Sequence, residues 1–299
     1  MSAADAALRP ATVDLHLHSR ASDGDFAPEE LAQRAVAAGV AVASCTDHDT
    51  FASADAFRVA FEALGGRCVT GCEVSTSWLG METHLLVYGA PHPDFARRVR
   101  RIHDDHLACL RQRVEAARAI GVPVSWAEVE SLVGADRIPY FGEILRLVQR
   151  KATADERFAH YTPDTLLDLQ RDWFEEGRPL YVPEPGWPPL LDVIGWARAA
   201  GGVPVLAHPA RVLAQLPAGL DALPGLRDAG LAGLEAWTTW HTRAETEAVL
   251  DLCARLRLVA TQGSDFHGTR IKPWATGPGL VPGGGSPDPQ ALVEALLCA

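Results

Sequence analysis

The 299-residue sequence contains no apolar run approaching the ~20 residues that a membrane-spanning helix needs. Its opening, Met1 to Thr12, is short and Ala-rich, without the basic start and long apolar stretch of a secretory signal. A cytoplasmic protein is therefore expected. Cysteine is sparse: the six stand at 45, 68, 72, 109, 253 and 298, with no paired metal-ligand spacing. Cys68 and Cys72 fall four apart on an expected strand and would share one face, so buried free thiols are the expectation. Positive charge is also in deficit, with 27 Lys and Arg against 38 Asp and Glu and a formal net charge of −11. That balance argues against salt-driven binding to long nucleic acid. It leaves room for a small anionic substrate, because bound cations reverse the sign of the field locally. The sequence shows no internal repeat, and its one low-complexity stretch is the Gly- and Pro-rich 277–288.

What the chain does contain is core material. Hydrophobic residues at 47% against charged residues at 22% are the balance of a soluble globular enzyme. The length suits one large domain or one domain carrying an insert. The first hundred residues alternate strand and helix: "TVDLHLH" (12–18), a helix over Pro28–Gly39, "VAVASCT" (40–46), a helix over Phe51–Leu64, then "RCVTGCEVS" (67–75) and "THLLVYG" (83–89). This rhythm implies a mostly parallel sheet or barrel. From Pro93 to about Gly177 the pattern is helical only, with Leu107, Leu110, Val114 and Ala117 at spacings of three to four and further helices over Ala127–Val133, Gly142–Lys151 and Pro163–Glu176. "YVPEPGWPPL" (181–190) reads as a return linker. The rhythm then resumes with a helix over Leu190–Ala200, strands at 203–208, 231–237 and 258–265, and helices over Ala244–Leu256 and Pro289–Leu297. An α/β barrel of 12–94 and 190–299 is expected, interrupted by a helical insertion subdomain over 95–189 that acts as a lid or specificity element.

Six of eleven histidines, His16, His18, His48, His84, His208 and His267, stand at or just after expected strand ends, joined by Asp23, Glu73 and Asp265. In an α/β barrel such ends converge on one mouth. "DLHLH" places His16 and His18 on one strand face, half of a metal site; an isolated His-x-His would more often be a satisfied core or surface pair. "TDHD" (46–49) sets His48 between two carboxylates, one of which can orient the imidazole, although Asp49 or Thr50 can equally cap the next helix. "GCE" brings Glu73 to a strand end, where a carboxylate can bridge two cations, and "AHP" and "GSDFH" close two apolar strands with ligand types. Each signal is weak alone, and their repetition at five or six strand ends is not. His, Asp and Glu without Cys suit Mn²⁺, Zn²⁺ or Fe²⁺, and clustered divalent ions activate water and clamp a phosphoryl group.

The segments "DLHLHSRASDG", "CTDHDT", "GCE", "VLAHPAR" and "GSDFHG" together resemble the PHP (polymerase and histidinol phosphatase) family, over about 12–94 and 190–280. The helical insert is similar to that of the branch holding nucleoside 3′,5′-bisphosphate phosphatases and a 5′-3′ RNA exonuclease. The resemblance implies a distorted (β/α)7 PHP barrel with a trinuclear centre of divalent ions, Mn²⁺ first, with Zn²⁺ or Fe²⁺ as alternatives. It assigns His16, His18, Glu73 and Asp265 to one metal, Asp23, His48 and His267 to a second, and Glu73, His84 and His208 to a third. Asp23, His48, Asp265 and His267 form the catalytic set. Where the branch carries Gly-Arg-Pro-His in the insert, this chain has "DRIPYFGEIL" (136–145): Tyr140 replaces His, Ile138 replaces Arg, and Arg137 stands one position early. An Arg-to-Ile change removes a bidentate phosphate contact.

Substrate contacts are expected from Arg113, Arg137, Tyr140, His241 and Ser264. Arg111 and Arg113 could equally form a solvated helix face, and a surface location is expected for His103 and His106. Trp237 and Trp240 could stack on a base, but core packing is the commoner use of such residues. The expected activity is metal-dependent hydrolysis of a phosphate monoester on a nucleotide or nucleoside-like molecule, with no membrane partner. Three other readings stand beside it: a 5′-3′ exonuclease on short RNA, a pathway-specific phosphatase of nucleoside-antibiotic or other specialised-metabolite biosynthesis, and a non-catalytic metal-binding module.

Overall fold

β1 (Val13–Leu17) and β2 (Val42–Cys45) are buried along their whole length, as strands of a parallel sheet covered on both faces must be. They belong to a computed structural model that describes residues 13–89, 92–133, 139–268, 275, 277–279, 281 and 288–298. Arg137, Ile138, the opening twelve residues and most of the Gly- and Pro-rich stretch lie outside the described residues, as does the side chain of Cys298. β1, β2 and β3 (Arg67–Cys68) pair in parallel in that order. A second sheet runs β4 (Gly71–Trp78), β5 (Met81–Tyr88), β6 (Val203–Leu206), β7 (Gly233–Trp237) and β8 (Val259–Gln262). β5 is antiparallel to both neighbours, and the rest are parallel.

Two single bridges join these sheets into a ring. Leu17 pairs with Phe266 beyond β8, and His48 beyond β2 pairs with Glu73 in β4. Because β3 runs into β4 after two residues, the described residues form seven staves, a distorted (β/α)7 barrel. The expected strand over 67–75 is thus broken after Cys68, which puts Cys68 and Cys72 on different strands. β4 does not end at Glu73: it continues to Trp78 and returns as β5 through the two-residue turn Leu79-Gly80, with φ of 51° and 83°. Positive φ at both positions matches the right-handed strand twist. The five cysteines with described side chains, Cys45, Cys68, Cys72, Cys109 and Cys253, are free thiols.

α1 (Pro28–Ala37), α2 (Ala54–Ala63), α7 (Leu190–Ala199), α10 (Arg243–Leu256) and α11 (Pro289–Cys298) occupy their expected places, except that α2 starts three residues after Phe51 with Ser53 at its cap. No element is expected over 209–228, where α8 (Pro209–Gln215) and α9 (Pro217–Asp228) form; the internal Pro224 of α9 masks its helical signal. Two apolar clusters stabilise this unit: one around Leu86, Tyr88, Val205 and Val293, the other around Leu31, Phe57, Phe61 and Phe266.

Residues 101–186 form a separate compact unit, and the boundary falls within α3 (Pro93–Ala119). The unit is helical, as its periodicity predicts, with α4 (Trp126–Val133), α5 (Phe141–Lys151) and α6 (Leu166–Trp173). Leu110, Val114 and Ala117 pack with Ile144, Val148, Phe158 and Leu169 in its own core.

Candidate active site

The barrel's strand geometry aims the candidate residues at one place. His16 lies in β1 and His18 one residue past it, on the same face by the two-residue period of a strand. His48 follows β2, His208 follows β6, and Asp265 and His267 follow β8. β5 runs antiparallel, so an early residue, His84, reaches the mouth, while Leu86 and Tyr88 continue the same face into the core. Glu73 sits inside β4, fixed by its backbone pairing with the His48 segment: Glu73 N–H donates to Thr46 O at 3.1 Å and Asp49 N–H to Glu73 O at 2.8 Å.

All nine residues meet. Glu73 Oε2 stands 3.0 Å from His16 Nε2, 3.1 Å from His18 Nε2 and 3.2 Å from His48 Nδ1. Its Oε1 stands 3.1 Å from His84 Nδ1 and 3.4 Å from His208 Nε2. Asp265 Oδ1 reaches His16 and His18 at 3.3 and 3.2 Å, and Asp23 Oδ2 reaches His267 Nε2 at 3.0 Å. Burial alone would raise the Glu73 carboxyl, but the charges of His16, His48 and His84 outweigh it and hold it well below the usual range. Burial likewise lowers His84, yet Glu73 beside it pushes the imidazole up to about 10. His48 goes the other way: burial lowers it, and the charges of His18 and His84 add to that against the pull of Glu73.

A support layer holds the cluster. Asp14 accepts from Ser264 N and Oγ at 2.9 and 2.6 Å and from Gly279 N at 2.6 Å; burial pushes its carboxyl up to about 6 against these hydrogen bonds. Asp47 accepts from Ser19 N and Oγ at 2.7 Å each, from Ser22 Oγ at 2.6 Å and from Ser53 Oγ, pinning the loop that carries Asp23. Asp49 accepts from Ser75 N and Oγ at 2.8 and 2.7 Å. The two carboxylates expected to orient His48 or cap α2 therefore serve as loop and strand anchors. Glu235 on β7 was not among the expected site residues; it contacts both His16 and His208 at 2.8 Å. Asp49, His208 and Asp265 adopt positive φ, a strain that the surrounding contacts must hold in place.

A cleft of about 430 Å³ opens at the cluster, with Asp23, His48, His84, His208, Arg211 and Trp240 on its walls. Arg211 is the one Lys or Arg among its described lining residues. Its guanidinium carbon lies 4.3 Å from the Trp240 ring centre, and Trp240 Nε1–H donates to Asp265 Oδ2 at 2.5 Å. Trp240 is thus part of the cleft wall rather than of the core.

The expected substrate contacts fare differently. Ser264 is fully buried and committed to Asp14. His241 is also buried, its Nδ1–H donating to Ala236 O at 3.0 Å and its Nε2 accepting from Ala210 N at 3.2 Å. Both are corrected to internal braces, because their polar atoms are already used inward. Arg113, 5% exposed, donates to Glu184 at 2.7 Å and lies over Phe141 within the helical unit. Tyr140 caps α5, its N–H donating to Glu143 at 2.8 Å. Arg111 pairs with Glu130, and His103 and His106 are half-buried rather than exposed. Arg137 lies outside the described residues.

The donor set fits divalent cations. His16 Nε2, His18 Nε2, His84 Nδ1 and both Glu73 oxygens are buried without a hydrogen-bond partner, and lone pairs this close repel unless positive charge lies among them. Three subsets have ligand atoms within 4.8 Å of one another: His16, His18, Glu73 and Asp265; His18, Asp23, His48 and His267; and His48, Glu73 and His84. The first equals the set implied by the resemblance, the second adds His18, and the third holds His48 where the resemblance has His208.

The family model described as PHP domain matches residues 14–174. A 3′,5′-nucleoside bisphosphate phosphatase of Chromobacterium violaceum is 29% identical over 265 residues, covering 86% of this chain and 87% of that protein. A 5′-3′ exoribonuclease of Haemophilus influenzae is 26% identical over 260 residues, covering 85% and 89%. Among solved structures, a protein of Bifidobacterium adolescentis described as a candidate metal-dependent phosphoesterase is similar with a TM-score of 0.72 at 25% identity, covering 96% of this chain and 95% of that one. With more than half of its length matched by the family model, and with the dispersed His, Asp and Glu residues gathered at one barrel mouth, the chain belongs to the PHP domain family of metal-dependent phosphoesterases.

Proposed function

We propose that the protein hydrolyses a phosphate monoester of a nucleotide or nucleoside-like small molecule, using three divalent cations, Mn²⁺ first and Zn²⁺ or Fe²⁺ as alternatives. The observation that carries this reading is the convergence of five imidazoles on the two oxygens of one buried carboxylate, Glu73. His16, His18, Glu73 and Asp265 would hold one cation, Asp23, His48 and His267 a second, and Glu73, His84 and His208 a third. Such cations supply Lewis acidity toward phosphoryl oxygens and make nearby water a stronger acid. The chain's own residues supply the rest. Arg211 receives an anionic oxygen of the substrate as a charge-assisted donor, and the Trp240 face is a wall against which a planar group can rest. Asp23, His48, Asp265 and His267 act by holding cations, so no covalent intermediate on Ser, Cys or His is required.

An exoribonuclease would use the same cluster. The net charge of −11 and a cleft with one described Lys or Arg lining it disfavour the basic groove that tracks a nucleic-acid backbone. The test is phosphate release with Mn²⁺ across adenosine 3′,5′-bisphosphate, 2′-, 3′- and 5′-nucleoside monophosphates, histidinol phosphate and a short 5′-phosphorylated RNA, with Asp265→Ala as control. Release from one of the nucleotide monoesters, lost in Asp265→Ala, is expected. Cleavage of the RNA alone, or a full rate in Asp265→Ala at equal metal content, would sink the proposal.

A further inference from the structure

β7 places no residue in the nine-membered cluster, yet its Glu235 is fully buried and spends both oxygens on that cluster. Oε1 accepts from His16 Nδ1 at 2.8 Å, and Oε2 accepts from the backbone N–H of His208 at 2.8 Å. We infer that Glu235 is a positioning residue that fixes the tautomer of His16 and the backbone of His208 together, and so couples two of the proposed cation positions. The inference rests on the metal-centre reading above.

Three observations support it. First, a carboxylate can only accept here, so His16 must carry a proton on Nδ1, which makes Nε2, the atom facing Glu73 and Asp265, the one whose lone pair a cation would use. Outer carboxylates of this kind orient metal-binding imidazoles and raise their basicity. Second, His208 has φ of 31°, a left-handed conformation that a residue with a side chain adopts at a cost. The bond from its N–H to Glu235 offsets that cost and holds the turn from β6 into α8. Third, the neighbouring position is built for the contact. A Cβ on Gly263 would lie 2.2 Å from His16 Cβ and 2.6 Å from Glu235 Oε1. Any side chain there would separate the pair, so glycine at 263 is a condition of the contact.

Glutamine is the informative replacement because it preserves shape while offering one carbonyl oxygen. It can accept from His16 or from His208, not from both. The experiment titrates Mn²⁺ into chelator-treated wild-type protein, Glu235→Gln and Gly263→Ala by calorimetry. Metal stoichiometry, the melting temperature of each chelated protein and the His16 tautomer by ¹⁵N NMR are read in parallel. The expected result is Mn²⁺ affinity weakened by roughly 10–100-fold in Glu235→Gln, with the chelated protein still unfolding cooperatively and with either the Nδ1–H tautomer of His16 or the hydrogen bond of the His208 amide lost. Gly263→Ala reaches the same contact from the other side and should weaken Mn²⁺ in the same direction. Unchanged affinity and stoichiometry in Glu235→Gln would overturn the inference, as would a wild-type His16 protonated on Nε2. A wild-type protein that binds no Mn²⁺ but shows the Nδ1–H tautomer, lost in Glu235→Gln, would remove the metal-centre reading and leave the positioning role standing.

Discussion

A guanidinium in the cleft of an acidic protein has few competitors for an anionic ligand. Among the described residues Arg211 lies against Trp240 and makes no ion pair with a carboxylate, which keeps its outer N–H groups available for a charge-assisted contact worth about 1.5–3 kcal/mol. Arg211→Ala is therefore expected to raise KM for the proposed phosphate-ester substrate about tenfold or more, leave kcat within about twofold and leave metal content unchanged. Steady-state kinetics with metal analysis checks this; a fall in kcat at constant KM would move Arg211 from binding into the reacting centre. Most of the cluster is legible residue by residue, because His16, His18, His48, His208, Asp265 and His267 stand at or just past the ends of apolar strands, whereas Glu73 lies inside β4, His84 early in β5 and Asp23 in the loop after β1. Glu235 is not legible, since "GLEAW" reads as a strand with one acid and its partner His16 is 219 positions away. Ser264 and His241 show the converse: residue type does not reveal whether a polar atom is spent inward.

At the scale of elements, the β4–β5 hairpin turns on Leu79 at φ 51°, a conformation better suited to Asn or Gly. Leu79 is half exposed and gives up little packing if replaced. Leu79→Asn should stabilise the protein by about 1 kcal/mol in urea unfolding with unchanged m; no shift in midpoint would show that another contact already compensates the turn. The seven staves and the helical insert are readable from hydrophobic period and Gly/Pro punctuation. The hairpin is hidden because "WLGM" has Leu where Asn, Asp or Gly usually precedes the turn Gly, and α9 is hidden by its internal Pro224. The reversed direction of β5 has no local signature at all, since alternation reads the same both ways.

At the scale of the whole molecule, the buried atoms of His16, His18, His84 and Glu73 that lack a hydrogen-bond partner lead us to expect the metal-free protein to be the less stable form. Anything that binds the folded state alone raises its stability by mass action. Chelation with EDTA is expected to lower Tm by several degrees and added Mn²⁺ to restore it, as followed by calorimetry; equal Tm in both states would count against cation binding at the cluster. The two single bridges that close the ring, Leu17 with Phe266 and His48 with Glu73, have a further consequence. Both closures lie at residues of the cluster or beside them, so completing the barrel and assembling the site are one event. During synthesis, His16 and His18 leave the ribosome long before Glu235, Asp265 and His267 exist. For most of that time the polar face of β1 has Glu73 in reach but lacks Glu235, Asp265 and His267. Joining the two ends of the barrel carries the entropic cost of a very long loop, so β8, the last of the described strands to be made, is the one that completes the site.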